Sequence, residues 1–280
     1  MKNTRVLAVL NLLALAIHIS LSYATQFKLV NTKDVGQISD QYTSLFTPAG
    51  ITFAIWGLIY VALIMFCIYH LIVAFSAAEP HHPANKDINH IGVWFILNNL
   101  GAAAWLVAWT HEQIAASLGL IFFQLVTLII IHMRTGIHAT RRELASRIFT
   151  QFPLSIYFGW ITIATIANTA IWLSANGWDG FGLGYSAITW TRVMIAIAVF
   201  ITLLVVLTRR NVFYGLVIVW ALYGIITKRQ ATGATEYVEI IQTAWIGLAL
   251  VSFICVVQLF RNIITRKEVN TRFPEAVAIK

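Results

Sequence analysis

WITIATIANTAIW, residues 160–172, sits inside an apolar run long enough to cross a bilayer. It carries Asn168 past its middle and a tryptophan at each end, Trp160 and Trp172. A helix that only anchored a chain in lipid would have no use for Asn168, because a polar group at this depth is costly and turns inward. On a helix at about 100° per residue, Trp160, Ala164, Ala167, Asn168, Ile171 and Trp172 fall within an arc of about 140°. Tyr157 joins them one turn earlier. Two interpretations compete. Small residues and an amide suit helix packing, while aromatic rings around one oriented polar group suit the wall of a ligand cavity.

The rest of the chain sets the frame. Of 280 residues, 59% are hydrophobic and only 11% charged, and the mean hydropathy is +0.78. So little charge cannot cover a soluble domain, so the fold class expected is all-α, a polytopic transmembrane bundle. The net charge of +8 is scattered through loops and the tail. It forms no basic stripe with interleaved aromatics, so no nucleic-acid partner is expected. Cys67 and Cys255 lie in apolar runs and offer neither a disulfide framework nor zinc spacing.

A spanning helix needs about 20 mostly apolar residues. Eight segments qualify: 5–25, 50–76, 89–110, 113–133, 151–174, 186–208, 212–227 and 237–260. Charge tests that count. With the amino terminus inside, Lys2, Arg5, Lys86, Arg134, Arg141, Arg142, Arg147, Arg209, Arg210, Arg261, Arg266, Lys267, Arg272 and Lys280 fall on the inner side. Only Lys28, Lys33, Lys228 and Arg229 fall outside, and Arg192 is left to snorkel from a span end. The bias fits eight helices with both termini cytoplasmic. Lys2, Arg5, an apolar run and Ser22-Tyr23-Ala24 also read as a secretory signal. The charge pattern favours a retained first helix.

Two other spans echo the opening stretch. In the third, Trp94, Asn98, Gly101 and Trp105 recur at spacings of four, three and four, which is one stripe. The second opens FTPAGITFAIWGLIY, with Phe53, Trp56 and Tyr60 on one face behind Pro48. Tyr60 is deeper than an interfacial aromatic belt reaches. The histidines have no mutual metal-ligand spacing, so no metal site is expected. No Walker loop, dinucleotide fingerprint or nucleophile elbow occurs. A retinal protein would want a lysine deep in a late helix, and Lys228 stands at a helix end.

These residues resemble the TspO/MBR family, the tryptophan-rich sensory proteins whose animal members are the translocator or peripheral benzodiazepine-receptor proteins. Pro48, Phe53, Trp56 and Tyr60 match its second-helix motif, and Leu97-Asn98 with Trp105 its third. Pro153, Trp160, Asn168 and Trp172 match its fifth. Gly101 stands where the family tends to place a tryptophan, and Tyr157 where another is expected. The resemblance covers residues 1–175, the family's five helices. Residues 176–280 then add three helices and a basic cytoplasmic tail.

The resemblance implies a fifth helix lining a pocket, closed by the first loop, that takes porphyrins, haem-like tetrapyrroles or sterols. The ligand-binding set is then Phe53, Trp56, Tyr60, Asn98, Trp105, Tyr157, Trp160, Asn168 and Trp172, with no catalytic or metal residues. The expected partners are a hydrophobic small molecule and the lipid bilayer. A homodimer stays open, and a tetrapyrrole enters as ligand rather than cofactor. The leading function is a sensory or receptor-like binding protein without turnover, in a bacterial inner membrane. A small-molecule transporter and a tetrapyrrole-degrading enzyme are the alternatives.

Overall fold

The computed structural model describes residues 2–42, 44–76, 82–136, 143–178, 184–232 and 235–272. Arg141, Arg142 and Lys280, three of the basic residues assigned to the inner side, lie outside the described residues. Those described form helices and connecting turns, with no strand among them.

Helix α1 (Lys2–Gln26) crosses once and is followed by the short α2 (Val35–Gln41). The 3-10 turn Gly50–Ala54 leads into α3 (Ile55–Phe75). Next come α4 (Pro83–Ile91), α5 (Trp94–Thr110) and α6 (Ile114–Thr135). The short α7 (Leu144–Ser146) and a π turn (Arg147–Gln151) then enter α8 (Phe152–Ala175). Three more helices follow, α9 (Ala187–Arg209), α10 (Val212–Ala231) and α11 (Val238–Arg272).

Among the described residues, seven helices are long and apolar enough to cross a membrane, and an eighth span arises if α4 and α5 count as one. The protein is an integral, multi-pass membrane protein. The third span departs from the straight helix expected over 89–110. It bends by 54° between α4 and α5, because Gly92 caps α4 at φ 56°, a left-handed conformation that glycine enters without steric cost. Helix α5 has 17 residues and is about 25 Å long, short of a bilayer core of about 30 Å. The end of α4 must complete the crossing.

Helix α8 is the axle. Every residue from Pro153 to Ile163 is buried, the signature of a helix with no solvent or lipid face along that length. It packs on α3, α6 and α10, while α10 joins α9 and α11. Helix α1 docks on α3 and α5 through buried polar pairs, with His18 Nδ1 and Asn99 Oδ1 3.0 Å apart. The Tyr60 hydroxyl donates to Ser22 Oγ at 2.8 Å. Arg192 does not simply snorkel. It pairs with Glu239 across the starts of α9 and α11.

Orientation is carried by the charge bias, and it has a direct check. Reporter fusions after residues 30, 145 and 280 are expected to read outside, inside and inside. A fusion at 280 reading outside would remove one crossing and overturn the cytoplasmic carboxy terminus.

Candidate functional site

The Asn168 face of α8 meets α3, α5 and α6 at a small, partly open cavity of about 60 Å3. Five of the expected residues line it: Phe53, Trp56, Trp105, Trp160 and Asn168. Trp160 stands at the centre of the aromatic wall. Its ring meets Phe53 edge-on at 5.8 Å and Trp56 edge-on at 6.2 Å, the arrangement that ring quadrupoles favour.

Asn168 serves two helices at once. Its Oδ1 accepts from the Trp105 indole N–H at 3.0 Å, and its Nδ2 donates to Ser117 Oγ at 3.2 Å. The amide therefore ties α8 to α5 and α6 and sets the rotamer of a cavity-lining ring. The amide packs helices together, and its residue also lies in the wall of the cavity.

Four expected residues lie outside the lining. The Asn98 amide is turned to α6, donating to the Gln124 carbonyl at 3.0 Å and to Thr127 Oγ1 at 2.8 Å. Gly101 follows the same seam, where a Cβ would sit 2.8 Å from the Phe123 ring. The stripe from Trp94 to Trp105 thus divides, with its amide and glycine packing α6 and its last tryptophan reaching the cavity. Tyr60 stacks on Trp56 at 5.3 Å, so it supports the wall from behind. Tyr157 is fully buried, 6.1 Å from the Trp56 ring. Trp172 packs with Ile38, Trp109, Ile114 and Ile171 under α2.

Other lining residues escaped the sequence reading. Trp109 stacks on Trp105 at 5.4 Å and also faces the cavity. It stands four residues after Trp105, so extending the stripe by one turn would have found it. Val35, Ser39 and Thr47 come from the first loop, which the resemblance places over the pocket without saying which of its residues reach it. The Asp34 side chain accepts from Gln37 N–H while the Gln37 side chain reaches back to Asp34 N–H. This capping box was readable as D-x-x-Q and starts α2 over the cavity mouth.

The first loop is a lid fastened on two sides. Against the α5–α6 hairpin, Trp109 Nε1 donates to the Val35 carbonyl at 3.1 Å and Lys33 pairs with Glu112 at 2.9 Å. Partial burial, and then the Glu112 charge, push the Tyr42 phenol above its ordinary value, so it remains a neutral donor beside that carboxylate. Against α10, Lys228 pairs with Asp40 at 2.8 Å and Ala49 N–H donates to the Gly224 carbonyl at 3.0 Å. The Trp220 indole donates to the Thr52 carbonyl at 2.9 Å. Exposed ion pairs contribute about 0–1 kcal/mol each, so neither of the two locks the lid.

Two residues of the lining carry a buried polar atom with no partner among the described residues, the Trp160 indole N–H and Thr47 Oγ1. Among the described residues, the lining holds no charged side chain. It can therefore stack on an apolar molecule and donate to an acceptor, but it has no counter-ion for an anion.

Over residues 8–257 the chain matches the family described as TSPO-like protein. No curated protein and no solved structure matches it.

Proposed function

The chain belongs to the TSPO-like family, and from that premise we propose that it is a membrane sensory or receptor-like protein binding a flat, hydrophobic ligand in the lidded cavity. The observation that carries this reading is the aromatic wall with its unpartnered Trp160 N–H. Rings provide stacking area, and a buried donor left without a partner costs about 1–3 kcal/mol, which a ligand acceptor would recover. The ligand contacts come from residues 1–175, and α10 braces the mouth from beyond them. The proposed location is a bacterial inner membrane with both termini in the cytoplasm.

The cavity, at about 60 Å3, is smaller than the engineered apolar cavity of about 150 Å3 that takes benzene. A porphyrin or sterol therefore enters only with the lid displaced, and binding is coupled to opening. The absence of a charged side chain from the lining adds a selectivity. An ionised carboxylate buried without a partner is strongly disfavoured, so a tetrapyrrole has to keep its acid groups at the mouth or be esterified.

Titration of protoporphyrin IX and its dimethyl ester, followed by tryptophan quenching, tests this. Both are expected to bind, the ester more tightly. Trp160→Phe keeps an aromatic face but removes the donor and part of the stacking area, and is expected to weaken ester binding about tenfold or more. Failure of both porphyrins and of a sterol to bind would sink the reading. Tighter binding of the diacid would place a cation at the site.

A further inference from the structure

The end of the bundle that carries the lid also holds a buried cation. Arg229, in the last turn of α10, is only 5% exposed. Its Nε is enclosed without a hydrogen-bond partner, and its guanidinium forms no ion pair with a described residue. The carboxylates paired at this end go elsewhere, Glu239 to Arg192 and Asp40 to Lys228. The Tyr237 ring lies 5.3 Å from the guanidinium carbon. That contact uses the face of the cation, while its five N–H groups point outward from the edge. The Trp190 indole N–H is likewise buried and without a partner among the described residues. Trp190 is about 200° round α9 from Arg192, so the exposed arginine leaves it turned inward. Trp190 and Tyr237 each stand two residues before the Arg192–Glu239 pair that joins α9 to α11, which puts them on one level. Donors without an acceptor collect there.

We propose that this is a binding site for the headgroup phosphate of a membrane phospholipid, held by the Arg229 guanidinium with the Trp190 N–H as second donor. A buried charge without a partner is strongly disfavoured, so the occupant has to be an anion. The planar edge of a guanidinium matches an oxyanion that presents two oxygens. Depth selects its source. The start of α9, the end of α10 and the start of α11 meet at this level, beside the ion pairs Arg192–Glu239 and Lys228–Asp40. Here the apolar spans end and the headgroups of the bilayer begin, and every phospholipid carries its phosphate there. Farther into the spans, α9 and α11 expose Val193, Ile197, Trp245 and Ile246, apolar surface that a lipid tail covers and free phosphate does not. A sterol or diacylglycerol brings only a hydroxyl and leaves the charge unpaired.

The position gives the site a consequence. Lys228 and Arg229 are consecutive, so α10 gives one cation to the lid and the next to the bilayer. The site does not depend on what the lidded cavity binds.

The test uses full-length protein from vesicles of phosphatidylethanolamine and phosphatidylglycerol, extracted in mild detergent and weighed by native mass spectrometry. Wild type is expected to retain a phospholipid, and folded Arg229→Gln to retain it at least about tenfold less. Arg192→Gln removes an exposed cation at the same level and is expected to retain lipid as wild type does. If Arg229→Gln fails to fold, Trp190→Phe, which removes the second donor and keeps a ring, is expected to weaken retention in its place. Lipid-stripped wild type should regain thermal stability with added phosphatidylglycerol, and not with dioleoylglycerol or inorganic phosphate. Wild-type retention in folded Arg229→Gln, or equal loss in Arg192→Gln, overturns the proposal, as does rescue by dioleoylglycerol. Rescue by inorganic phosphate alone overturns the lipid assignment. Glu236, exposed on the turn of Tyr237, is the rival partner. If Glu236→Gln destabilises the stripped protein as much as Arg229→Gln does, the carboxylate serves the guanidinium and the proposal falls.

Discussion

Gly224→Val is expected to cost the protein both stability and its ligand. Gly224 is where α10 touches the turn that carries the cavity lip. A Cβ there would lie 2.0 Å from Thr52 Oγ1, 2.9 Å from Thr52 Cγ2 and 3.0 Å from Pro48 Cβ. The hydroxyl can rotate away, but Pro48 belongs to a rigid turn and cannot. Overpacking of this kind costs about 1–3 kcal/mol. The displaced turn also strands the Ala49 N–H that Gly224 accepts, at about another 1 kcal/mol. Thr47, Pro48 and Phe53 all line the cavity, so its mouth moves with the turn. A thermal melt should show a lowered midpoint, and porphyrin titration an affinity reduced about tenfold or more. Lys228→Ala removes only an exposed ion pair with Asp40 and should change either measurement little. A Gly224→Val protein with wild-type melting and binding would show that α10 does not brace the lip. On the same argument, a chain ending near Ser174 keeps the ligand contacts and loses the brace, so it should bind more weakly than the full protein.

The spans were legible because lipid removes options. Without water to satisfy a backbone, only helices and closed barrels cross a bilayer, so apolar run length and basic loops nearly determine the bundle. The bend at Gly92 was not legible from hydropathy, which sees an apolar stretch and not its direction. In the site, the α8 face was legible because Asn168 among alanines and tryptophans leaves one inward direction. Asn98 was misleading for the same reason. An inward amide meets whichever neighbour is nearest, and for Asn98 that is α6. Helical period ranks the residues that turn inward; it does not say which of several interior surfaces each one meets. Ala49 with Gly224 and Thr52 with Trp220 are more than 160 residues apart, and no local pattern announces contacts of that range. The bracing by α10 therefore had no sequence signal, although all eight spans did.

Asn168→Leu discriminates between the two roles of the opening stretch by way of Trp105. Leucine has the same branching and heavy-atom count though its methyls are bulkier, so the loss falls chiefly on hydrogen bonds. The Trp105 N–H and the Ser117 hydroxyl lose their Asn168 partner. Inter-helical side-chain bonds in membranes average about 0.6 kcal/mol and reach about 1.7, so the pair should cost about 1–3 kcal/mol of stability. Ser117 loses less, since its hydroxyl still donates to the Ile114 carbonyl at 2.8 Å. Trp105, free to turn, no longer holds its stack on Trp109, and affinity should fall with it. If Asn168 acts on the ligand only through Trp105, the two residues behave as one unit. Trp105→Phe then weakens binding in the wild-type background and adds nothing after Asn168→Leu. A double-mutant cycle measures that coupling directly. Additive losses would mean that Asn168 makes a ligand contact of its own. A stable double variant that binds porphyrin as wild type does would remove both residues from the site.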